Sequence, residues 1–504
     1  ALSHCHIVGE VARELIRRYP TALQALFPVG APFVAACHDI GKVSPAFVEK
    51  LRRACTAPPE GVPAQSIHPE LEKGWGGHAG VSQAAAKGMN APKYLPEILG
   101  QHHGFSPQLT GKTATAESFG GEAWQAQRVA LVAELKERLG MDWPQINSTE
   151  HARLLAGLTS VADWIGSGRH FENPQEPWEG KIEQALDESG FMAPSYQIGL
   201  CFEDVFGFAP RPAQIQLIAA ASQPGVYVLE APMGMGKTEA ALYAAYRQLE
   251  QGLACGVYFA LPTQLTSNKI YDRFNRFLNA VLAPNCPHRQ ALLLHGTAWL
   301  QDTEMGEEGR PGGAWFQSSK RGLLAPFAVG TIDQALMAAM HVKHGFVRAF
   351  GLAGKVVILD EVHSYDAYTG TLLDALVQLL RSLHCTVIIL SATLNQARRS
   401  ALMGGAPVSS LAYPLITAQA QGSAAAEHPV PVEGQPQTVN LHLEGDEAAA
   451  VSEALARAEA GQQVLWIENT VGQAQQRYLD LAARAAELGV ECGLLHSRFT
   501  MHDR

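Results

Sequence analysis

The sequence predicts a multidomain protein in which an all-α domain precedes an α/β domain built on a parallel sheet, followed by an incomplete second α/β domain. Three observations carry this. From Ser3 to about Ile165 apolar residues recur at helical spacing, as in Val8, Val11, Ala12, Leu15 and later Leu154, Leu155, Leu158, Val161, Ile165. Beyond a polar, Pro-containing stretch, short β-branched runs alternate with helical segments, at Val226–Leu229, Gly256–Leu261, Leu292–Leu294, Val356–Leu359 and Thr386–Leu390, the rhythm of a parallel sheet with crossovers. An Ala-, Gly-, Pro- and Gln-rich stretch over 419–437 then reads as a linker. The strand-like Val439–Leu443, Val464–Ile467 and Cys492–Leu495 follow, but about 65 residues are too few for a complete α/β domain. The expected divisions are 1–190, 191–418, the linker 419–437, and 438–504.

Composition narrows the class. At 504 residues, 47% hydrophobic and 17% charged, the chain is neither disordered nor fibrous. No window of about 18 apolar residues occurs, and Ala1-Leu2-Ser3-His4 lacks a signal-peptide pattern, so a cytoplasmic location without a membrane partner is expected. The 8 Cys lie far apart with no Cys-x-x-Cys, which predicts reduced thiols. With 38 Lys+Arg against 48 Asp+Glu, a net charge of −10, any nucleic acid must be held in a local groove.

The helical domain carries His38-Asp39-Ile40-Gly41-Lys42 at what reads as the end of the apolar helix from Phe33. Farther on come His78, the pair His102-His103, and Asp163 in a strongly helical stretch; His4 or His6 completes the set at the amino end. A lone histidine is usually an ordinary surface or core residue, and the signal is the set. Imidazoles with a few carboxylates suit Mn, Fe, Co, Ni or Zn, and Asp39 is able to bridge two ions. Such a pair activates a water and stabilises the leaving oxygen of a phosphodiester. In order, these residues resemble the HD phosphohydrolase superfamily, in which the first histidine falls at the spacing of His4 rather than His6.

In the second domain the strand Val226–Leu229 runs into Glu230-Ala-Pro-Met233-Gly234-Met235-Gly236-Lys237-Thr238 and a helix. The two glycines let backbone N–H groups and a helix N-terminus surround phosphates. Lys237 adds a point charge, and Thr238 a hydroxyl on Mg²⁺. Ala231 stands where the strict phosphate-loop pattern has Gly. A second apolar strand delivers Asp360 and Glu361, the first placed to hold Mg²⁺ and the second to polarise the attacking water. Arg211 and Gln214 stand where an adenine-reading Gln is expected. Pro262, Thr263 and Gln264, with Thr331 and Gln334, resemble the DNA-backbone contacts of superfamily 2 helicases. Ser391, Ala392 and Thr393, with His363, resemble the elements that couple ATP hydrolysis to strand movement.

An HD domain ahead of such a helicase, with Asp360-Glu-Val-His363-Ser-Tyr-Asp366 and Leu494-Leu-His-Ser-Arg-Phe499, resembles the CRISPR-associated helicase–nucleases of type I systems, closest to the Cascade-recruited branch. The resemblance implies an HD-type nuclease domain followed by RecA-like helicase domains. It also implies ATP-driven 3′-to-5′ movement on single-stranded DNA, and recruitment by a surveillance complex whose guide RNA has opened an R-loop. It maps the first metal's ligands onto His4, His38, Asp39 and Asp163, and the second's onto Asp39, His78, His102 and His103. Lys42 falls beside them to hold a phosphate, so His38, Asp39, Lys42 and Glu361 are the expected catalytic residues. Family members continue past the equivalent of Arg504, so this chain is expected to cut DNA with little ATPase or unwinding of its own. Two other readings fit less of the sequence: a repair or RNA helicase with a nucleotide phosphohydrolase domain, and a non-catalytic ATP-gated DNA clamp.

Overall fold

The computed structural model describes residues 1–54, 69–173, 176–294, 315–317, 321–362, 367–431 and 439–499. The chain divides into one unit over Ala1–Val432 and a second over Glu433–Arg504. The amino-terminal part of the first unit is helical. Its helix Leu2–Arg17 buries Cys5, Ile7, Val8, Val11, Ala12 and Leu15, the apolar stripe seen in the sequence. The helix Thr149–Gly166 is capped by Ser148, whose side chain accepts the His151 N–H at 3.1 Å, and it runs through the domain core.

The α/β part holds one sheet of eight strands: β1 (Gly225–Glu230), β2 (Val257–Leu261), β3 (Leu292–Leu294), β4 (Phe327–Thr331), β5 (Val356–Leu359), β6 (Thr386–Ser391), β7 (Leu415–Ala420) and β8 (Ala426–Pro429). Their order is β3-β4-β2-β5-β6-β1-β7-β8. The first six pair in parallel, whereas β7 and β8 run antiparallel. Strands β1, β2, β4, β5 and β6 are buried along their whole length. A parallel sheet covered on both faces requires this, and it explains their unbroken apolar runs.

Two expectations change. The stretch 419–437 does not begin as a linker, because Gln419 and Ala420 end β7, paired with Val226 and Gly225 of β1, and β8 follows within it. Composition misleads here because ladder hydrogen bonds come from the backbone, and Gly422, at φ 77°, makes the turn between the two strands. In the second unit, 439–443, 464–467 and 492–495 form no strands among the described residues. Leu441, Leu443 and Leu465 stand 91%, 98% and 84% exposed; without a neighbouring strand their backbone groups bond to water and no ladder forms. That unit is held by the helices Glu447–Glu459 and Val471–Glu487, which meet through Val451, Leu455 and Ala485.

The change of rhythm near residue 190 separates two sequence styles without separating two cores. One apolar cluster runs from Ile7, Phe33 and Leu158 to Phe350 and on to Val226, Tyr258 and Val357 of the sheet. At the junction the helix Thr149–Gly166 lies against Gly345–Leu352. A Cβ on Gly157 would sit 2.3 Å from Phe350 Cβ and 2.6 Å from the Phe346 carbonyl oxygen. Arg153 closes the contact by donating to the Ala338 carbonyl at 2.7 Å. Among the described residues no helix is long and apolar enough to cross a membrane.

Candidate metal centre and nucleotide site

The helix expected to carry His38 and Asp39 ends early. Ala31–Ala36 is α-helical, and Cys37–Lys42 continues as a 3₁₀ turn in which Asp39 leaves helical geometry at φ −110°, ψ 19°. The cause is visible at Gly41. A Cβ there would lie 1.9 Å from the His78 carbonyl oxygen and 2.6 Å from the Ser82 nitrogen, so the turn presses directly on the start of the helix Gly77–Gly88. The Gly41 N–H also donates to Ser82 Oγ at 2.9 Å. Buried Arg128 fixes the far end of the turn by donating to the carbonyls of Val43, Phe119 and Ala114.

This brings all seven predicted ligands together. Asp39 Oδ2 lies 3.1 Å from His4 Nε2 and 3.1 Å from His38 Nε2, and Asp163 Oδ1 completes that group at 3.5 Å and 3.1 Å from the same nitrogens. The other oxygen, Oδ1, faces His78 Nε2 at 3.4 Å and His102 Nε2 at 3.6 Å, with His103 Nε2 a further 2.9 Å from His78 Nε2. Two donor sets result, His4, His38, Asp39 and Asp163 on one side and His78, His102 and His103 on the other. His6 lies outside both, beside Glu10 at 3.8 Å and edge-on to Trp178. Lys42 Nζ reaches Asp39 Oδ2 at 2.5 Å.

The donor chemistry fits divalent cations. His38 Nε2, Asp39 Oδ1 and His102 Nε2 are buried and make no hydrogen bond of acceptable geometry, a costly arrangement unless a ligand uses those atoms. His38 Nδ1 lies 2.8 Å from the Ala35 carbonyl and His102 Nδ1 2.7 Å from that of Leu99. With Nδ1 donating to these carbonyls, each Nε2 turns to the shared centre. Burial pushes His102 down to about 3 and His78 down to about 4, leaving neutral imidazoles. Burial opposes ionisation of Asp39 and Asp163, yet the adjacent His38 holds both well below the carboxylate range. Against its own burial, His38 is raised to about 10 by Asp39 and Asp163. Buried Asp39 and half-buried Asp163 together demand positive charge, which His38 and Lys42 supply in the protein alone and divalent ions would supply on binding.

The nucleotide site is built at the end of β1. Gly234 and Gly236 take φ of 80° and 73°, a backbone that only glycine adopts without strain, and the helix Lys237–Glu250 starts there. A cavity of about 410 Å³ is lined by Arg211, Gln214, Met233, Gly234, Gly236, Lys237, Thr238, Asp360 and Glu361, joined by Phe208, Glu239 and Arg273. Met235 turns away from it, into the core. Lys237 Nζ donates to the Ala231 carbonyl at 2.6 Å, while burial and the neighbouring Glu361 push Asp360 up to about 6. Gln214 is buried and engaged at both ends: Oε1 accepts the Arg211 N–H at 2.8 Å and Nε2 donates to the Gly236 carbonyl at 2.9 Å. In this state it clamps the loop.

The remaining motif residues also sit at carboxyl ends of parallel strands, where this sheet type places its ligands. Pro262, Thr263 and Gln264 follow β2, and Thr263 caps the helix Gln264–Val281 by accepting the Thr266 N–H at 3.3 Å. Thr331 ends β4, and it and Gln334 are both buried. Ser391 ends β6 in register with Glu230 of β1 and accepts the Ala231 N–H on its carbonyl at 3.2 Å, which links Ser391, Ala392 and Thr393 to the phosphate loop. His363 lies outside the described residues. Sequence reasoning missed Gly41, Arg128, Phe208, Glu239 and Arg273. The glycine was in a quoted motif with no role given, and an exposed Phe208 three residues before Arg211 was a readable signal. Glu239 likewise follows Thr238 directly in the phosphate-loop motif and had no role given, and nothing local marked Arg128 or Arg273.

Comparison with known proteins follows the same division. Residues 2–171 match the family described as the Cas3 HD domain, and residues 211–401 match the DEAD/DEAH box helicases. The CRISPR-associated endonuclease/helicase Cas3 of Thermus thermophilus is 34% identical over 464 residues, covering 80% of this chain and 49% of the relative. The crystal structure of T. fusca Cas3 with ADP superposes with a TM-score of 0.82 at 27% identity, over 99% of this chain and 64% of that one. A chain in a structure described as a CRISPR RNA-guided surveillance complex, pre-nicking, gives 0.68 at 26% identity, over 96% and 60%. The chain spans about half the length of the curated relatives it matches.

Proposed function

The chain belongs to the Cas3 family of CRISPR-associated HD nuclease–helicases, and on that premise we propose that it cuts single-stranded DNA at the Asp39 centre and carries the ATP-binding half of a 3′-to-5′ DNA motor. One observation carries the nuclease assignment: the two oxygens of a single buried carboxylate, Asp39, face two separate histidine sets.

His4, His38, Asp39 and Asp163 would hold one ion and Asp39, His78, His102 and His103 the other, with Mn, Fe, Co or Ni the class that this donor set favours. When bound, a pair of such ions supplies water activation and charge balance on the leaving oxygen. The protein contributes the rest. The Ala35 and Leu99 carbonyls orient two imidazoles, Asp39 spans both positions, and Lys42 stands ready to hold a non-bridging phosphate oxygen. In the motor, Lys237 and the loop N–H groups receive the phosphates of ATP, and Thr238 and Asp360 hold Mg²⁺. Glu361 orients the attacking water, and Ser391–Thr393 pass the change at β1 onward. Pro262, Thr263, Gln264, Thr331 and Gln334 supply the strand contacts.

Recruitment to DNA opened by a guide-RNA surveillance complex, in the cytoplasm, fits this reading. Base pairing then supplies sequence choice, and an acidic chain without a base-reading motif needs none of its own. The likeness to a chain in such a complex supports it. The test is a circular single-stranded DNA assay with Mn²⁺ or Ni²⁺ and no ATP, comparing the parent with Asp39→Ala. Cutting that disappears with the substitution and with chelator is expected. Cutting that survives Asp39→Ala, or faster turnover of free nucleotides than of DNA, would overturn the assignment.

A further inference from the structure

Three cations line the nucleotide cavity, and each rests on an acceptor that a phosphate could replace. Lys237 Nζ donates to the carbonyls of Ala231 and Pro232 at 2.6 and 3.3 Å. Arg211 donates to the Gly234 carbonyl at 2.7 Å. Arg273 differs, because its partner is a full negative charge, the carboxylate of Glu239 in the first turn of the phosphate-loop helix. Among the carboxylates lining this cavity, Asp360 has work with Mg²⁺ and Glu361 with water. Glu239 has neither, yet it is only 9% exposed, and a carboxylate there repels an incoming polyphosphate unless something neutralises it.

From this, and resting on the ATP-site reading above, we infer that Glu239 and Arg273 form an exchange pair: Arg273 leaves Glu239 for a phosphate oxygen of the bound nucleoside triphosphate. Arg273 is able to move, since its side chain is 42% exposed against 12% for Glu239. It projects from the helix Gln264–Val281, which begins at Pro262-Thr263-Gln264 at the end of β2. The exchange therefore joins the nucleotide to the helix whose first turn bears the proposed strand contacts. Guanidinium bonds to phosphate are charge-assisted and bidentate in the same way as those to carboxylate, so Arg273 keeps its bonding on exchange, and the cost falls on Glu239, which loses its cation.

The two partners should consequently act with opposite signs, which a purely structural ion pair would not do. Affinity of the 504-residue chain for Mg²⁺ with a non-hydrolysable ATP analogue is measured by titration calorimetry. Arg273→Ala should weaken it about tenfold, an ordinary value for one charge-assisted contact. Glu239→Gln should tighten it several-fold by freeing Arg273 in advance. Arg273→Gln, which keeps a polar, hydrogen-bonding side chain without the charge, serves where the alanine variant does not fold, and it should also weaken binding. Parallel weakening by both partners, or no change in either, overturns the exchange while leaving the site intact. A parent chain that binds no nucleotide at all removes the ATP-site reading itself, and the exchange with it.

Discussion

Replacing Gly41 by Ala tests how the Asp39 centre is assembled. The new methyl would start 1.9 Å from the His78 carbonyl oxygen, 2.6 Å from the Ser82 nitrogen and 2.8 Å from Ser82 Oγ. A carbon and a carbonyl oxygen settle no closer than about 3.3 Å, so the start of the helix Gly77–Gly88 has to retreat by more than an ångström. The atoms in the way are mostly backbone, and no rotamer change relieves them. His78 moves with that backbone and loses its place 3.4 Å from Asp39 Oδ1. Overpacking of this kind costs about 1–3 kcal/mol of stability. Misplacing a reacting group by about 1 Å costs on the order of 10²-fold in rate. Mn²⁺-dependent nicking of circular single-stranded DNA and denaturant unfolding are the assays. Gly74→Ala is the control, since nothing lies within 4 Å of a Cβ there. A Gly41→Ala chain with parental rate and stability would refute the reasoning.

Gly157→Ala places a methyl 2.3 Å from Phe350 Cβ and should cost about 1–3 kcal/mol, visible as a lower denaturant midpoint. Lys237→Ala should abolish binding of ATP analogues in calorimetry while leaving ATP-independent nicking at the parental rate, because the two sites share no residue. Lys355 is buried and its ammonium is pushed down from 10.5 to about 8 by that burial. Between these values the unfolded chain binds more protons than the folded one, so this group's contribution to stability rises with pH from about 8 to 10.5. Buried Cys255 and Cys385, raised to about 11 and 12, act in the opposite direction. The readout is therefore the stability of the parent minus that of Lys355→Met, a difference that should rise with pH in that window; a constant difference would contradict the assignment.

Much of this was legible because the chemistry is written in residue types at fixed positions. His38-Asp39, His78, His102-His103 and Asp163 stand out by type, although Asp163, last along the chain, joins His4, His38 and Asp39 in space, and the strand-ending motifs fall where parallel strands deliver them. What stayed hidden depended on partners distant in sequence. The turn after Ala36 packs against a carbonyl 37 residues beyond Gly41, a contact with no signal in the local sequence. The end of β7 is set by β1, although Gln419 and Ala420 open a stretch whose composition reads as a linker. The pair Glu239–Arg273 is separated by 34 positions, and nothing in the sequence joins the two residues. The apolar runs of the second unit show the converse, since alternation alone makes no strand without a neighbour to pair with.

The central claim is that one carboxylate serves two metal positions. Anomalous diffraction from crystals grown with Mn²⁺ tests it most directly. Two peaks are predicted, one ringed by His4, His38 and Asp163, the other by His78, His102 and His103, with Asp39 touching both. A single peak, or peaks away from Asp39, would contradict it.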